Sequence, residues 1–217
     1  MFGTPIIEHV MERAIAGGVT EFVIITGYRS EVLSRQLRDI SGRLGIPLTT
    51  VYNAEWQRGN GISVLKGKSH LTNPFVLLMS DHIFDPTTLS DLIDAGIEER
   101  EVILAVDRKI SDNPHVDLDD VTSVLDENGH IQNIGKHMER YTCFDTGMFL
   151  CTPHLFTALE QSLRETGNES LSGGMGILSA AGLARTFDIG DRFWIDIDND
   201  DMYDRAERYL RETGSGE

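Results

Sequence analysis

Positive charge is scarce in this sequence. Its 19 lysine and arginine residues stand against 35 aspartate and glutamate residues, so the formal net charge at pH 7 is −16. A surface this negative repels the phosphate backbone of nucleic acids, and we expect no nucleic-acid partner. A local basic pocket for one small phosphate group remains compatible with the overall charge.

Cysteine is also rare. The two thiols, Cys143 and Cys151, flank an apolar stretch and show no spacing typical of a metal site or a redox pair. We therefore predict two reduced thiols packed in the hydrophobic core.

Long apolar runs are missing as well. No run approaches the roughly 18 residues that a bilayer crossing requires. The N-terminus does not show the basic-then-apolar pattern of a secretory signal. These two absences predict a cytoplasmic chain without a membrane span.

The patterns that are present predict an α/β fold. Apolar strands alternate with amphipathic segments up to about residue 106, which predicts a Rossmann-like, mixed and mostly parallel sheet flanked by helices. A hairpin signal at Glu127-Asn-Gly129 then marks an inserted antiparallel portion. The predicted helices are 5–16, 30–40, 61–71, 86–95, 153–166, 171–181 and 200–211, and the predicted strands are 21–26, 48–52, 75–79, 101–106, 121–126, 130–134, 144–151, 185–188 and 193–195.

Carboxylates follow two of these strands. Asp81 ends the strand at 75–79, while Asp196 and Asp198 end the strand at 193–195. Ligands of open α/β sheets bind outside the carboxyl ends of strands, and carboxylate oxygens suit Mg²⁺. The alternatives are a turn acid at Asp81 and a helix cap at Asp198. The strand-end position favours a shared magnesium site.

A polar segment follows the strand at 48–52. It contains Asn53 and Trp56 and then Gly59-Asn60-Gly61, which opens a helix that carries Ser63. Glycines at a helix start allow backbone N–H groups to approach a base or a phosphate. An ordinary surface loop is the alternative. We interpret the segment as a nucleotide site in which Asn60 and Ser63 read a pyrimidine and Trp56 walls the pocket.

Two further groups are candidates for an acceptor site. Lys136 follows the hairpin and could neutralise a phosphate, although a lone surface lysine is usually only solvated. On the next strand, Asp145-Thr146-Gly147 allows close approach of a ligand.

Together these segments resemble the sugar-phosphate nucleotidyltransferases. Within that superfamily the sequence is most similar to the inositol-1-phosphate cytidylyltransferases, the soluble part of bifunctional enzymes that also make di-inositol phosphates; bacterial choline-phosphate cytidylyltransferases are relatives. The resemblance runs along nearly the whole chain. The segments that carry it are Asn53-Ala-Glu-Trp56, Arg58-Gly-Asn-Gly-Ile-Ser-Val-Leu-Lys66, Leu78-Met-Ser-Asp-His-Ile-Phe-Asp85, Ala105-Val-Asp-Arg108, Asp145-Thr-Gly147 and Arg192-Phe-Trp-Ile-Asp-Ile-Asp198.

The resemblance implies a fold of the nucleotide-diphospho-sugar transferase type and a set of roles. Asp81 and Asp196, with Asp198, would hold Mg²⁺ on the phosphates of CTP. Lys136 would contact the acceptor phosphate. The acceptor hydroxyls would meet the segment at 145–147, and the base would meet Asn53, Gly59, Asn60, Gly61 and Ser63. The products would be CDP-inositol and pyrophosphate.

One family feature is absent from the sequence. The family begins with a strand and a loop of the form Gly-x-Gly-x-Arg, whereas residues 1–8 resemble the segment that follows this loop. We therefore expect residues 1–217 to be one nucleotidyltransferase domain, truncated at its N-terminus relative to the family. A misplaced start codon, a fragment and a non-catalytic nucleotide-binding paralogue all fit. Another sugar-1-phosphate or phosphocholine as acceptor also stays open, as does a homo-oligomer.

Overall fold

The computed structural model describes residues 1–111 and 113–213. Seven helices lie in this part of the chain. They are α1 (Ile6–Ala16), α2 (Ser30–Leu44), α3 (Asn60–Lys66), α4 (Pro86–Asp94), α5 (His154–Thr166), α6 (Leu171–Ala180) and α7 (Asp200–Glu212).

Ten strands accompany them in the same residues. They are β1 (Phe22–Thr26), β2 (Leu48–Tyr52), β3 (Phe75–Leu78), β4 (His82–Phe84), β5 (Val102–Asp107), β6 (Ser123–Glu127), β7 (His130–Gly135), β8 (Cys143–Cys151), β9 (Ala184–Asp188) and β10 (Trp194–Asp196).

Local sequence signals set several helix starts. The Asp85 side chain accepts a hydrogen bond from the Thr87 N–H group ahead of Pro86, so both a cap and a first-turn proline begin α4. Ser170 caps α6 through the Gly173 N–H group. Asn199 caps α7, which leaves the neighbouring acids Asp196 and Asp198 without a capping role in that helix.

A six-stranded mixed sheet forms the centre, in the order β3-β8-β5-β9-β7-β6. Since β3 and β5 both pair antiparallel with β8, and β9 pairs parallel with β5, these three strands share one direction. The predicted α/β class with a mixed sheet and an antiparallel portion is confirmed. Most neighbouring pairs are nevertheless antiparallel, because the long strand β8 lies between β3 and β5 and so separates strands that the alternation placed side by side.

The sheet buries side chains on both faces. Val102, Leu104 and Val106 of β5 contact one core, to which α5 and α6 contribute, while Ile103 and Ala105 contact another, to which α1, α4 and α7 contribute. The free thiols of Cys143 and Cys151 are buried in the first of these cores, as predicted. A strand that is buried on both faces has a continuous run of apolar residues, and the sequence of β5 is such a run from Val102 to Val106.

Two short strand pairs stand beside this sheet. β1 pairs parallel with β2, and β4 pairs antiparallel with β10. No sequence pattern predicted β4, and the helix predicted at 61–71 extends five residues beyond the end of α3 at Lys66. β4 lacks a sequence signal because it is three residues long and directly follows an acid.

A cleft of about 830 Å³ separates β1 from β3. Among the described residues β1 pairs only with β2, and β3 pairs only with β8, so each presents one unpaired edge. The apolar side chains of Phe22, Ile24, Val76 and Leu78 are consequently only half-buried, although their strands read as interior ones.

None of the helices within residues 1–111 and 113–213 combines the length and the apolarity that a bilayer crossing requires.

Candidate active site

A second cleft, of about 260 Å³, is lined by all five charged residues predicted for the site. Asp81, Lys136, Asp145, Asp196 and Asp198 all line it. The pairing of β4 with β10 sets Asp196 opposite His82, and the Ile197 N–H group donates to the Asp81 carbonyl over 3.1 Å. Hydrogen bonding between the two strand ends therefore brings Asp81 and Asp196 together.

The carboxylates fall into two clusters that share one residue. Ligand atoms of Asp81, His82 and Asp196 lie within 4.8 Å of one another, and so do those of Asp120, Asp196 and Asp198. Asp196 Oδ1 is buried and accepts no hydrogen bond. A buried carboxylate oxygen without a donor is costly unless a cation pairs with it. The donor set fits a divalent cation that prefers oxygen ligands.

His82 lies between the two strand-end acids. Its Nδ1 is 3.0 Å from Asp81 Oδ1 and 3.4 Å from Asp196 Oδ1. Burial alone would lower the pKa of His82, but Asp81, Asp196 and Asp145 together raise it above its ordinary value. A protonated imidazole here offsets part of the repulsion between the carboxylates.

The pKa values of Asp81 and Asp196 are shifted in opposite directions. The hydrogen bond with His82 lowers the pKa of Asp81. Burial, and then the nearby carboxylates of Asp81 and Asp198, raise the pKa of Asp196 to about 6. Both groups are ionised at pH 8, which is the state that binds a cation.

The strand β8 contributes Asp145 and Gly147. Asp145 Oδ1 accepts a hydrogen bond of 2.8 Å from the Gly147 N–H group, and burial raises the pKa of Asp145 to about 6. The prediction for Thr146 is wrong. Its side chain is fully buried and its hydroxyl donates to the Ala105 carbonyl over 2.8 Å, because neighbouring side chains on a strand point to opposite faces.

We expect Asp145→Asn to stabilise the fold at pH 8 but not at pH 4. A carboxyl whose folded pKa is raised from 3.8 to about 6 disfavours folding once the pH exceeds both values, and the penalty disappears as the pH falls through that window. At about 1.4 kcal/mol per tenfold change in ionisation, the gain at pH 8 is about 1–3 kcal/mol. Urea unfolding at both pH values measures it, and equal gains at the two would contradict the assignment.

Lys136 and Asp120 form an ion pair at the mouth of the cleft. The Lys136 Nζ to Asp120 Oδ1 distance is 2.6 Å, and both side chains are about half exposed. Asp120 was not among the predicted site residues, because it lies in an acidic loop whose position depends on the fold. Ser172, at the start of α6, also lines the cleft and was not predicted.

The polar segment predicted to bind nucleotide lies mostly outside this cleft. Asn53 is buried, accepts a hydrogen bond from the Glu55 N–H group and donates to the Ser63 hydroxyl, so it shapes the segment and does not face the cleft. Asn60 lines both clefts, and its side-chain oxygen, Oδ1, accepts a hydrogen bond from the Leu171 N–H group. Ser63 lines the larger cleft.

Packing explains the two glycines of this segment. A Cβ atom at Gly59 or at Gly61 would lie 2.5 or 2.6 Å from the Glu169 carbonyl oxygen. The Glu169 carboxylate also accepts hydrogen bonds from Arg58 and from the Gly59 N–H group. The glycines thus allow the segment to lie against the chain just before α6, and a ligand is not needed to account for them.

Trp56 does not wall either cleft. It is 42% exposed and packs against Tyr28, with ring centroids 5.4 Å apart. The expectation that it closes the nucleotide pocket is therefore wrong. A Cβ atom at Gly27, directly after β1, would lie 2.2 Å from Trp56 Cβ, so Trp56 packs closely against this turn.

The chain is similar in sequence to a known protein family and to several named proteins. Residues 1–173 match the family described as the MobA-like NTP transferase domain. A protein named bifunctional IPC transferase and DIPP synthase, from Rubrobacter xylanophilus, is 30% identical over 200 residues, which are 90% of this chain and 43% of that protein. The protein of the same name from Archaeoglobus fulgidus is 29% identical over 96% of this chain and 39% of its own length. The chain thus spans about two fifths of these relatives.

Two further proteins are similar over most of their own length. The UTP–glucose-1-phosphate uridylyltransferase AglF of Haloferax volcanii is 26% identical over 97% of this chain and 85% of that protein. The solved structure of the inositol-1-phosphate CTP transferase from T. maritima superposes with a TM-score of 0.81 at 24% identity, covering 97% of this chain and 85% of that one. The latter similarity shows the fold.

Proposed function

Because the chain belongs to the MobA-like NTP transferase family and is a nucleotidyltransferase, we propose that it transfers the cytidylyl group of CTP to inositol-1-phosphate. The observation that carries the proposal is the 260 Å³ cleft, in which three strand-end carboxylates face a lysine. The names of the bifunctional relatives support this acceptor.

The proposed reaction forms one phosphoanhydride bond and breaks another. An oxygen of the inositol phosphate attacks the α-phosphorus of CTP, the bond between the α- and β-phosphates breaks, and pyrophosphate leaves as CDP-inositol forms. No covalent intermediate with the protein is needed. The residues of the chain contribute positioning and charge neutralisation, which supply most of the rate in reactions of this kind.

Asp81, Asp196 and Asp198 would hold Mg²⁺ at the cleft. The ion would neutralise the charge that develops on the phosphate oxygens. The fit rests on the buried, undonated Asp196 Oδ1 and on the carboxylates gathered around it. Asp120, with a ligand atom within 4.8 Å of those of Asp196 and Asp198, would be a further ligand if Lys136 exchanged it for a substrate phosphate.

Lys136 and Asp145 would receive the acceptor. The ammonium group of Lys136 lies at the mouth of the cleft and would exchange its carboxylate partner, Asp120, for the acceptor phosphate. Asp145 lines the cleft with one oxygen held by the Gly147 N–H group, so its other oxygen could accept a hydrogen bond from a polyol hydroxyl. Gly147 packs closely against His82 and supplies the N–H group that orients Asp145.

The nucleotide base would occupy the larger cleft next to β1. Asn60, Met79 and Leu171 line both clefts, so the two lie next to each other. Because the Asn60 side-chain oxygen is taken by Leu171, only the amide hydrogens of Asn60 could donate to a base, and the Ser63 hydroxyl lines the same wall. In this proposal Asn53, Gly59 and Gly61 support that wall.

The proposal treats residues 1–217 as a single nucleotidyltransferase domain. The sequence contains no segment of the form Gly-x-Gly-x-Arg, the triphosphate-binding loop of the family it resembles. Truncation relative to the family stays a prediction. The chain is therefore assayed both as it stands and with a strand and loop of that form joined to its N-terminus, and activity only in the extended chain would support the prediction.

Pyrophosphate release in a matrix of substrates tests the proposal. With Mg²⁺ present, we expect release with CTP and inositol-1-phosphate to exceed release with UTP and glucose-1-phosphate, or with CTP and phosphocholine, by at least about tenfold. The UTP pair is included because the Haloferax volcanii relative is named for it. A preference for UTP and glucose-1-phosphate would contradict the proposed substrates while leaving the reaction class intact.

A further inference from the structure

A buried carboxylate lies behind the proposed metal site without facing it. The Asp107 side chain, at the end of β5, is 3% exposed and accepts three hydrogen bonds of 2.8 Å. The donors are Trp194 Nε1, Asn113 Nδ2 and the backbone N–H group of Lys109. Burying a carboxylate costs free energy unless donors compensate, so this arrangement is a specific one.

The bond to Trp194 joins two distant parts of the chain. Trp194 is 3% exposed and lies in β10 two residues before Asp196. Side chains two residues apart on a strand share a face, so the indole lies on the same side of β10 as the Asp196 carboxylate. Fixing the indole therefore fixes the strand end that carries Asp196.

The indole also forms one wall of the His82 site. The rings of Trp194 and His82 are stacked, with centroids 6.1 Å apart and planes 29° from parallel. Gly147 forms another wall, because a Cβ atom there would lie 2.5 Å from His82 Cδ2. The imidazole is thus held by packing from β10 and β8 while its Nδ1 contacts Asp81 and Asp196.

We propose that Asp107 and Trp194 are positioning residues for the metal site. The buried hydrogen bond orients the indole, the indole and Gly147 orient His82, and His82 sets the separation of the Asp81 and Asp196 carboxylates. Neither Asp107 nor Trp194 contacts the cation. This inference rests on the metal site of the proposed function and extends it to residues that only the fold brings together.

Mn²⁺ binding to the intact chain tests the inference without nucleotide or turnover. The concentration of free Mn²⁺, followed by electron paramagnetic resonance, gives the dissociation constant. Trp194→Phe keeps an aromatic ring but removes the N–H donor, and we expect it to weaken Mn²⁺ binding by about tenfold or more, as is usual when a partner behind a metal ligand is lost. Asp107→Asn, which keeps the indole, should weaken binding to a similar extent.

The chain offers a matched control. Trp56→Phe makes the same substitution at the other tryptophan, which lies outside both clefts, and should leave the dissociation constant unchanged. The double variant Asp107→Asn with Trp194→Phe should lose no more affinity than the larger single loss, because residues that act in series are not additive.

The outcomes distinguish the positioning role of Asp107 and Trp194 from the metal site itself. A wild-type chain that binds Mn²⁺ and a folded Trp194→Phe variant that binds it equally well would overturn the positioning role alone. If the fold-losses in Mn²⁺ affinity of the two single variants multiply in the double variant, Asp107 does not act through Trp194. If Trp194→Phe does not fold, Asp107→Asn decides by the same criterion. A wild-type chain that binds no Mn²⁺ would overturn the metal site and this inference together.

Discussion

We expect pyrophosphate release to fall by about 10²–10³-fold when Asp81 is replaced by asparagine. The side chain keeps its size and can still hydrogen-bond to His82, but the carboxylate charge that faces Asp196 is lost. Preorganised charges at the reacting phosphates are commonly worth this much in rate. Because Asp81 is 52% exposed and not part of the core, the fold should survive the change.

The measurement compares kcat for wild type and Asp81→Asn at saturating Mg²⁺, CTP and acceptor. Asp94→Asn, an exposed carboxylate at the end of α4, serves as the matched control and should retain wild-type activity. Urea unfolding should place all three proteins within about 1 kcal/mol of one another, as is usual for surface changes. Near-normal kcat in the Asp81→Asn variant would remove Asp81 from the metal site.

Replacing Lys136 by alanine should raise KM for the acceptor by about 10–100-fold and leave KM for CTP within about twofold. A hydrogen bond between an ammonium group and a phosphate contributes about 1.5–3 kcal/mol, and about 1.4 kcal/mol corresponds to a factor of ten. The stability cost should be small, since the Lys136–Asp120 pair is half exposed and such pairs contribute about 0–1 kcal/mol.

Lys68→Ala is the control for this change. The Lys68 Nζ pairs with Glu160 at 2.5 Å, with exposures close to those of the Lys136–Asp120 pair, and neither Lys68 nor Glu160 lines either cleft. Its two KM values should stay at wild-type levels. Equal increases for CTP and acceptor in Lys136→Ala would show that the lysine binds both substrates, and its assignment to the acceptor would then be wrong.

Sequence patterns predicted most elements because each depends on its own residues. The apolar run of β5, the hairpin turn before β7 and the proline at the start of α4 are local signals, and all three elements form where they were expected. The pairing of β8 between β3 and β5 is not local. It depends on which strand buries its apolar faces best in the assembled sheet, and no segment carries that information alone.

The site residues also divide into those with a local sequence signal and those that only the fold brings together. The strand-end positions of Asp81 and Asp196 are visible in the sequence, and the fold does bring them together. Alternation along β8 could have excluded Thr146, since its neighbour Asp145 lines the cleft. Asp120 could not be predicted, because it reaches Asp196 and Asp198 only through the path of a loop.

The measurement that tests the central claim most directly is the ³¹P spectrum of the product. Purified chain is incubated with Mg²⁺, CTP and myo-inositol-1-phosphate, and we predict that the monophosphate signal is replaced by the two coupled signals of a diphosphate diester, with one pyrophosphate formed per diester. The Asp81→Asn variant should form both at least about 100-fold more slowly. CTP and inositol phosphate signals that stay unchanged, in a folded sample of the chain and of its N-terminally extended form, would contradict the proposed reaction.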